Sequence, residues 1–284
     1  SLIENSRNRI AVTTNSELAY LYWITGKNVN EFILHNTRAP YGKQIIVNLS
    51  KRLTVKYGKG WSAKHIRHCL RAAETFSEEQ IVSALRRQLT WTHIKTLSYE
   101  ENELKREFYL QMAIEQKWKT RDLEQQMDSM LFERTAIAQK PDEQIKQALS
   151  ELTENNTLNP DLVFKSSYFL DFLGLKNTYS EKNLEDAIVA NLQNFIMEMG
   201  SGFAFLERQK LIPVDAVDYH LDLLFYHRKL KCLVAIDLKL GKFKPEHKGQ
   251  MELYLRWLEQ NEMQDGENPP IGLLLCSKGN TEHV

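Results

Sequence analysis

The chain has 284 residues, 42% of them hydrophobic, and its 37 Lys and Arg balance 37 Asp and Glu, so the formal net charge is zero. That length favours two domains, and the apolar content suffices for ordinary cores. No run of about 18 apolar residues occurs and no basic-then-apolar leader opens the chain, which excludes a membrane-spanning helix and predicts a cytoplasmic protein. Cys69, Cys232 and Cys276 lack metal-ligand spacing, so neither a disulfide framework nor a zinc site is expected. The chain begins without Met and stops soon after a predicted strand, which predicts a piece of a longer protein.

A zero net charge hides an uneven distribution. Residues 1–140 carry 22 basic against 15 acidic residues, and residues 141–284 carry 15 against 22. The basic excess is concentrated in Lys43 to Lys95, with 11 basic and 3 acidic residues, and a phosphate-binding surface is expected there. Ile45, Ile46, Leu49 and Leu53 give an amphipathic helical pattern. The stretch Tyr57-Gly58-Lys59-Gly60-Trp61 breaks it, and Ser62 caps a second helix from Ala63 to about Thr75. Helix, Gly-containing turn and helix is the layout of a helix-turn-helix. With Ile66 and Leu70 toward the core, Lys64, Arg67, His68 and Arg71 are left for DNA. The same residues also fit a solvated basic face on a helical bundle.

Residues 1–138 therefore read as an all-α, helix-turn-helix-like domain, and 139–160 as a polar linker with one short helix around Glu143 to Leu152. Phe164, Tyr168, Phe169, Leu170, Phe172 and Leu173 open a second core, so 161–284 forms the second domain. Leu184, Ala187, Ile188, Leu192, Phe195, Ile196 and Met199 recur at helical spacing behind Ser180 as N-cap. Phe203 to Lys210 alternates as a first strand. Gln250 to Trp257 reads as a helix and Ile271 to Cys276 as a further central strand, in a mixed sheet flanked by helices.

Between them lies LDLLFYHRKLKCLVAIDLKL, which reads as a hairpin. Cys232 to Ile236 is a continuous apolar run, as in a strand covered on both faces, and Asp237 and Lys239 share one face at its end. Asp222 lies on the preceding strand, with His227, Arg228 and Lys229 as a polar connection. Adjacent buried carboxylates repel unless a divalent cation sits between them, and hard oxygen ligands suit magnesium. Such a site, with Lys239 beside it, fits phosphodiester hydrolysis. The spacing alone equally fits an ion pair at a strand end, with Asp222 as a turn-flanking acid.

Asp222 followed by Asp237-Leu238-Lys239 resembles the second half of the PD-(D/E)xK nuclease signature. The segments YLYWITGKNVNEFIL, YGKQIIVNLSKRL, LTWTHIKTL, YSEKNLEDAIVANLQNFIMEMGSGFAFLERQ, LDLLFYHRKLKCLVAIDLKLGKF and GQMELYL resemble, in order, the motifs of the YhcG-like family. LTWTHIKTL with AIEQKWKTRDLEQQM is also similar to the helical DNA-binding domain of ParB-like proteins. The YhcG-like resemblance implies an α+β protein overall, with a helical amino-terminal domain and an α/β restriction-endonuclease-like domain. It implies a metal-dependent endonuclease acting on DNA, with Mg2+, or Mn2+ in its place, held by Asp222 and Asp237 and supported by Lys239. It further implies an acid from the helix before the sheet, Glu185 or its competitor Glu181, and a polar residue on the later helix, Gln250. Cutting both strands needs two sites, so a homodimer is expected. A non-cleaving DNA-binding or assembly protein on the same fold is the alternative.

Overall fold

The architecture, taken from a computed structural model, is described for residues 2–34, 39–166, 168, 170, 173, 180–215, 217–276 and 282–283. The expected core residues Phe169 and Phe172 lie outside the described residues. The chain divides into two compact units, Ser1–Met130 and Leu131–Val284.

The first unit is helical throughout its described residues. It comprises α1 (Leu2–Asn28), continued by a π-helical turn at Val29–Leu34, then α2 (Ala39–Tyr57), α3 (Ala63–Thr75), α4 (Glu78–Arg86), α5 (Trp91–Leu97), α6 (Glu103–Glu115) and α7 (Thr120–Asp128). α3 starts at the predicted cap: Ser62 is extended and its hydroxyl accepts from the His65 N–H at 3.2 Å. Ile66 and Leu70 of α3 are buried in one cluster with Val29 and Ile46, against which Leu49 and Leu53 pack. α1 meets α3 backbone to backbone. A Cβ built on Gly26 would stand 2.0 Å from the Cys69 carbonyl oxygen, so no residue larger than glycine fits that crossing. Trp23, fully buried, donates its indole N–H to the Phe76 carbonyl at 3.0 Å and fixes the end of α3.

The second unit begins earlier than the expected boundary at 161. It contains α8 (Leu131–Arg134) and α9 (Asp142–Asn155), whose Ile145, Ala148, Leu149 and Leu152 are buried, so the expected linker is largely an ordered helix. Backbone bonds tie α8 to the later chain: the Ala136 N–H donates to the Phe164 carbonyl and the Ser166 N–H to the Arg134 carbonyl. Arg134 and Lys165 both reach Glu198, at 2.8 and 3.1 Å, and burial pushes the Lys165 ammonium down to about 8 against the attraction of Glu198.

One helix was expected over 181–199, and two are present, α10 (Glu181–Ala190) and α11 (Leu192–Met199). Asn191 makes the break. Its backbone leaves helical geometry, and its side-chain amide donates back to the Ala187 carbonyl at 3.0 Å, competing with the helix ladder. The Ser180 cap is in place, its hydroxyl accepting from the Asn183 N–H.

The sheet has the order β1 (Phe203–Val214), β2 (Val217–His227), β3 (Cys232–Lys239), β4 (Ile271–Cys276) and the two-residue β5 (Glu282–His283). Only β3 and β4 pair in parallel, so the sheet is mixed, as expected. β1 runs four residues past the expected Lys210 because it pairs with β2 along the whole hairpin. Its strict alternation fails at a bulge between Phe205 and Glu207 and at Gln209, which takes φ 51°. β3 is the central strand, and every residue but Lys239 is buried.

Val234, Ile236 and Leu238 face a core with Leu184 and Ile188 of α10 and Phe195 and Met199 of α11. Leu233 and Ala235 face a second core with Met251, Tyr254 and Leu258 of α12 (Pro245–Asn261). Gly272 lets α12 come close to β4, since a Cβ there would stand 2.4 Å from Met251 Cγ. His227 was expected in the polar connection after β2. It is instead 1% exposed, and its Nδ1 accepts from the Leu230 N–H.

Candidate active site

The site forms where β2 and β3 separate. Their ladder runs from His227–Cys232 to Leu223–Ile236, so Asp222 is the first residue of β2 beyond it. Its Oδ2 accepts instead from the Leu238 N–H of β3 at 2.8 Å, which draws the Asp222 carboxylate toward Asp237. Asp237 is two residues on from Ala235, on the face of β3 that looks toward α12, and is 2% exposed. Lys239 places its Nζ 2.8 Å from Asp237 Oδ2. That pairing is ionic, and the buried oxygen receives no hydrogen bond of good geometry. The hairpin therefore brings Asp222, Asp237 and Lys239 together.

The electrostatics are those of an under-neutralised pair of acids. Burial pushes Asp222 up to about 7, against the Leu238 hydrogen bond, and the charges of Asp237 and Glu185 add to the rise. Asp237 is raised too, first by burial, with Lys239 opposing and Glu181 adding. At Lys239 burial acts to lower the ammonium, and the attraction of Asp237, Glu181 and Asp222 outweighs it, so Lys239 is raised and stays charged.

Glu181 and Glu185 of α10 take different partners. Glu185 is buried, and Arg208 of β1 donates to it and to Asp186, each at 2.5 Å. Glu181 accepts from the Leu240 N–H at 2.9 Å, just past Lys239. Gln250 of α12 donates to the Tyr254 hydroxyl, which in turn donates to the His220 carbonyl at 3.3 Å. Burial, then the charge of Asp237, pushes Tyr254 up to about 12, so it remains a neutral donor. Gln250 thus holds Tyr254, whose hydroxyl feels the charges of Asp237 and Asp222.

Three neighbours escaped the sequence reading. Gln209 donates to Asp222 Oδ1 at 3.0 Å, Arg208 neutralises Glu185, and Tyr254 borders Asp237. The bulge and the left-handed Gln209 place the first two, and no period-2 pattern carries that signal. Tyr254 was visible only as part of the apolar side of its helix.

A divalent cation fits this chemistry. Asp237 is buried and Asp222 half-buried, both are raised, and Asp237 Oδ2 has only the ionic contact of Lys239. Both are hard oxygen ligands. Among the described residues no three His, Cys, Asp or Glu side chains converge as ligands, because Glu185 is turned to Arg208.

In the first unit, Lys64 and Arg67 stand exposed on α3. His68 and Arg71 point to the end of α5: His68 Nδ1 is 2.8 Å from the Tyr99 hydroxyl, and Arg71 Nε donates to the Ser98 carbonyl at 2.8 Å. The Arg71 guanidinium lies 4.5 Å from the Tyr99 ring centre. Of the four expected DNA contacts, two are on the surface and two hold the protein's own turn. No helix among the described residues is long and apolar enough to cross a membrane.

Two families match different parts of the chain. Residues 161–284 match the family described as YhcG PDDEXK nuclease domain, and residues 1–134 match the DUF1016 N-terminal domain. The chain is 31% identical over 308 residues to a protein of Escherichia coli (strain K12) named "Putative nuclease YhcG", covering 98% of this chain and 81% of that one. No solved structure matches it.

Proposed function

Because the chain belongs to the YhcG family of PDDEXK nucleases, we propose that its second unit hydrolyses DNA phosphodiester bonds with a divalent cation, magnesium first and manganese as substitute, while its helical first unit holds the DNA. The observation that carries this reading is the pair of half-buried Asp222 and buried Asp237 with Lys239 Nζ 2.8 Å from Asp237 Oδ2. Asp222 and Asp237 would hold the cation, which supplies Lewis-acid polarisation of the phosphate.

The chain's own residues do the rest. Lys239, held charged by Asp237, orients the attacking water and neutralises charge developing on the phosphate oxygens. Glu185 assists from α10 as ligand or water-orienting acid, with Arg208 fixing it until substrate arrives. Glu181 anchors the end of β3 through the Leu240 N–H and remains the competitor for that role. Gln250 positions Tyr254 beside Asp237. On the DNA side, Lys64 and Arg67 contact phosphates, and His68 and Arg71 would add contacts only after leaving Tyr99 and Ser98. A DNA substrate fits a cytoplasmic location, and a homodimer would supply the two sites that cutting both strands requires.

The test is incubation of the protein with plasmid, linear and branched DNA in magnesium, manganese or EDTA, beside Asp237→Ala and Lys239→Ala. Metal-dependent cutting that both variants lose, with DNA binding kept, is the expected result. Equal turnover in the variants would sink the mechanism. The alternative of a non-cleaving DNA-binding or assembly protein draws on the Glu185–Arg208 pair, which removes the third acid from the cluster. Binding without cutting on every substrate selects it.

A further inference from the structure

The first unit carries a cluster of rings that the proposed phosphate contacts do not use. Tyr22 of α1 stands edge-on to three of them: His65 of α3 at 4.3 Å between ring centres, Trp91 of α5 at 5.2 Å and Trp61 at 5.8 Å. His65 also contacts Trp61 at 6.0 Å and Trp91 at 5.8 Å, so the two indoles flank a shared Tyr–His centre. All four rings are only partly buried. Neither indole N–H has a hydrogen-bond partner among the described residues. Trp61 is presented deliberately: it ends the turn after α2, and the Ser50 hydroxyl donates to its carbonyl at 2.7 Å.

The charged groups that act on the imidazole at the centre have one sign. Burial is the first cause that lowers His65, and the charged neighbours adding to it are His68 and Lys95. At His68 burial again leads, followed by Lys95 and Lys64. Exposed Arg67 lies on the same helix. Partly exposed indoles with free N–H donors, rimmed by lysines with no acid acting on the imidazoles, suit a ligand that is flat, polar-edged and anionic. Nucleotides whose bases are unpaired have those properties. In duplex DNA the base faces are covered by their own neighbours, so only unpaired bases can lie on a protein ring.

We infer that Trp61 and Trp91, with Tyr22 and His65 between them, form a stacking site for unpaired bases of a DNA strand whose phosphates run along Lys64, Arg67 and Lys95. The inference rests on the reading that the first unit holds DNA, and narrows the substrate to DNA with a single-stranded part, such as a branch, flap or gap.

The test measures binding of the full chain in EDTA to a 20-nucleotide oligo-dT and to a duplex of the same length. Trp61→Leu and Trp91→Leu should each weaken oligo-dT binding by about 5-fold to 100-fold, the range for loss of one stacked base, and leave duplex binding within about 2-fold. Lys64→Ala with Arg67→Ala should weaken both. Unchanged oligo-dT binding in folded Leu variants overturns the inference, as does equal loss on both DNAs. Tighter binding to oligo-rU than to oligo-dT overturns the choice of DNA. Duplex binding with no binding of oligo-dT refutes the stacking site alone, whereas no binding to either refutes the DNA-holding role as well. Should the Leu variants fail to fold, tryptophan emission keeps the question open to refutation. Oligo-dT must quench the emission of the unsubstituted chain, and Trp61→Phe or Trp91→Phe must remove part of that quenching.

Discussion

Strand β3 and helix α3 each carry charged side chains, and they do so in opposite dielectric settings. At the end of β3 the charges are withdrawn from water: Asp237 is 2% exposed, half-buried Lys239 is its ion-pair partner, and desolvation raises Asp222 of neighbouring β2 to about 7. On α3 the charges are on the surface or on the rim of a turn, and the carriers of its stability are Ile66, Cys69 and Leu70. The difference teaches where a single residue matters. A buried acid acts through its own proton and its own partners, at cost to folding, whereas a surface lysine acts as one of several equivalent charges that salt screens.

The largest expected effect lies on β3. Asp237→Asn should lower cleavage by about 100-fold or more while leaving the chain folded, because it removes one acid of the pair and the ion-pair partner of Lys239 but little volume. A nuclease assay and a thermal melt check it, and loss of both activity and stability would break the comparison. On the α3 side the sensitive position carries no charge. Gly26→Ala should destabilise the first unit by about 3 kcal/mol or prevent its folding, since its Cβ would meet the Cys69 carbonyl. Denaturant unfolding reads this directly.

The third expectation concerns His227, buried and lowered to about 4, first by burial. Unfolded histidine takes a proton near pH 6.5, and the folded one resists to about 4, so stability is full above 6.5 and falls as pH drops through that window. The loss should reach about 3 kcal/mol for this residue and vanish in His227→Asn. Next, a cation entering between Asp222 and Asp237 must displace the proton that Asp222 holds below about 7. Magnesium affinity should therefore rise about tenfold per pH unit up to neutrality and level off above it, as calorimetry with proton counting would show. The smallest effects separate neighbours on α3. Arg67→Ala should change stability by less than about 0.5 kcal/mol and reduce the salt slope of DNA binding by about one. Arg71→Ala should cost about 1 kcal/mol of stability through the lost Ser98 and Tyr99 contacts.

What the sequence disclosed follows from the range of each signal. Asp237 and Lys239 sit on a regular central strand, so period-2 reasoning places them together, and Ser62 and Ser180 announce their helices through local hydrogen bonds. The partners Arg208–Glu185 and Gln209–Asp222 depend on a bulge and on one residue in left-handed geometry, and neither leaves a pattern in composition. The break at Asn191 is likewise hidden, because apolar spacing continues across it. Helix α9 is a different case. Ile145, Ala148, Leu149 and Leu152 have helical spacing on one face, so a short helix around Glu143 to Leu152 was legible, while the polar residues around it hid its burial and its full length, Asp142–Asn155.

That stretch bears on where the molecule can be divided. The matched nuclease domain starts at 161, yet Phe164, Lys165 and Ser166 owe their partners to Arg134, Thr135 and Ala136. A chain cut at 161 would strip Glu198 of one guanidinium and remove both the Ala136 N–H that donates to the Phe164 carbonyl and the Arg134 carbonyl that accepts from the Ser166 N–H. Protease nicking should accordingly release a stable carboxy-terminal product only when the scission falls near Met130, thirty residues ahead of the matched domain.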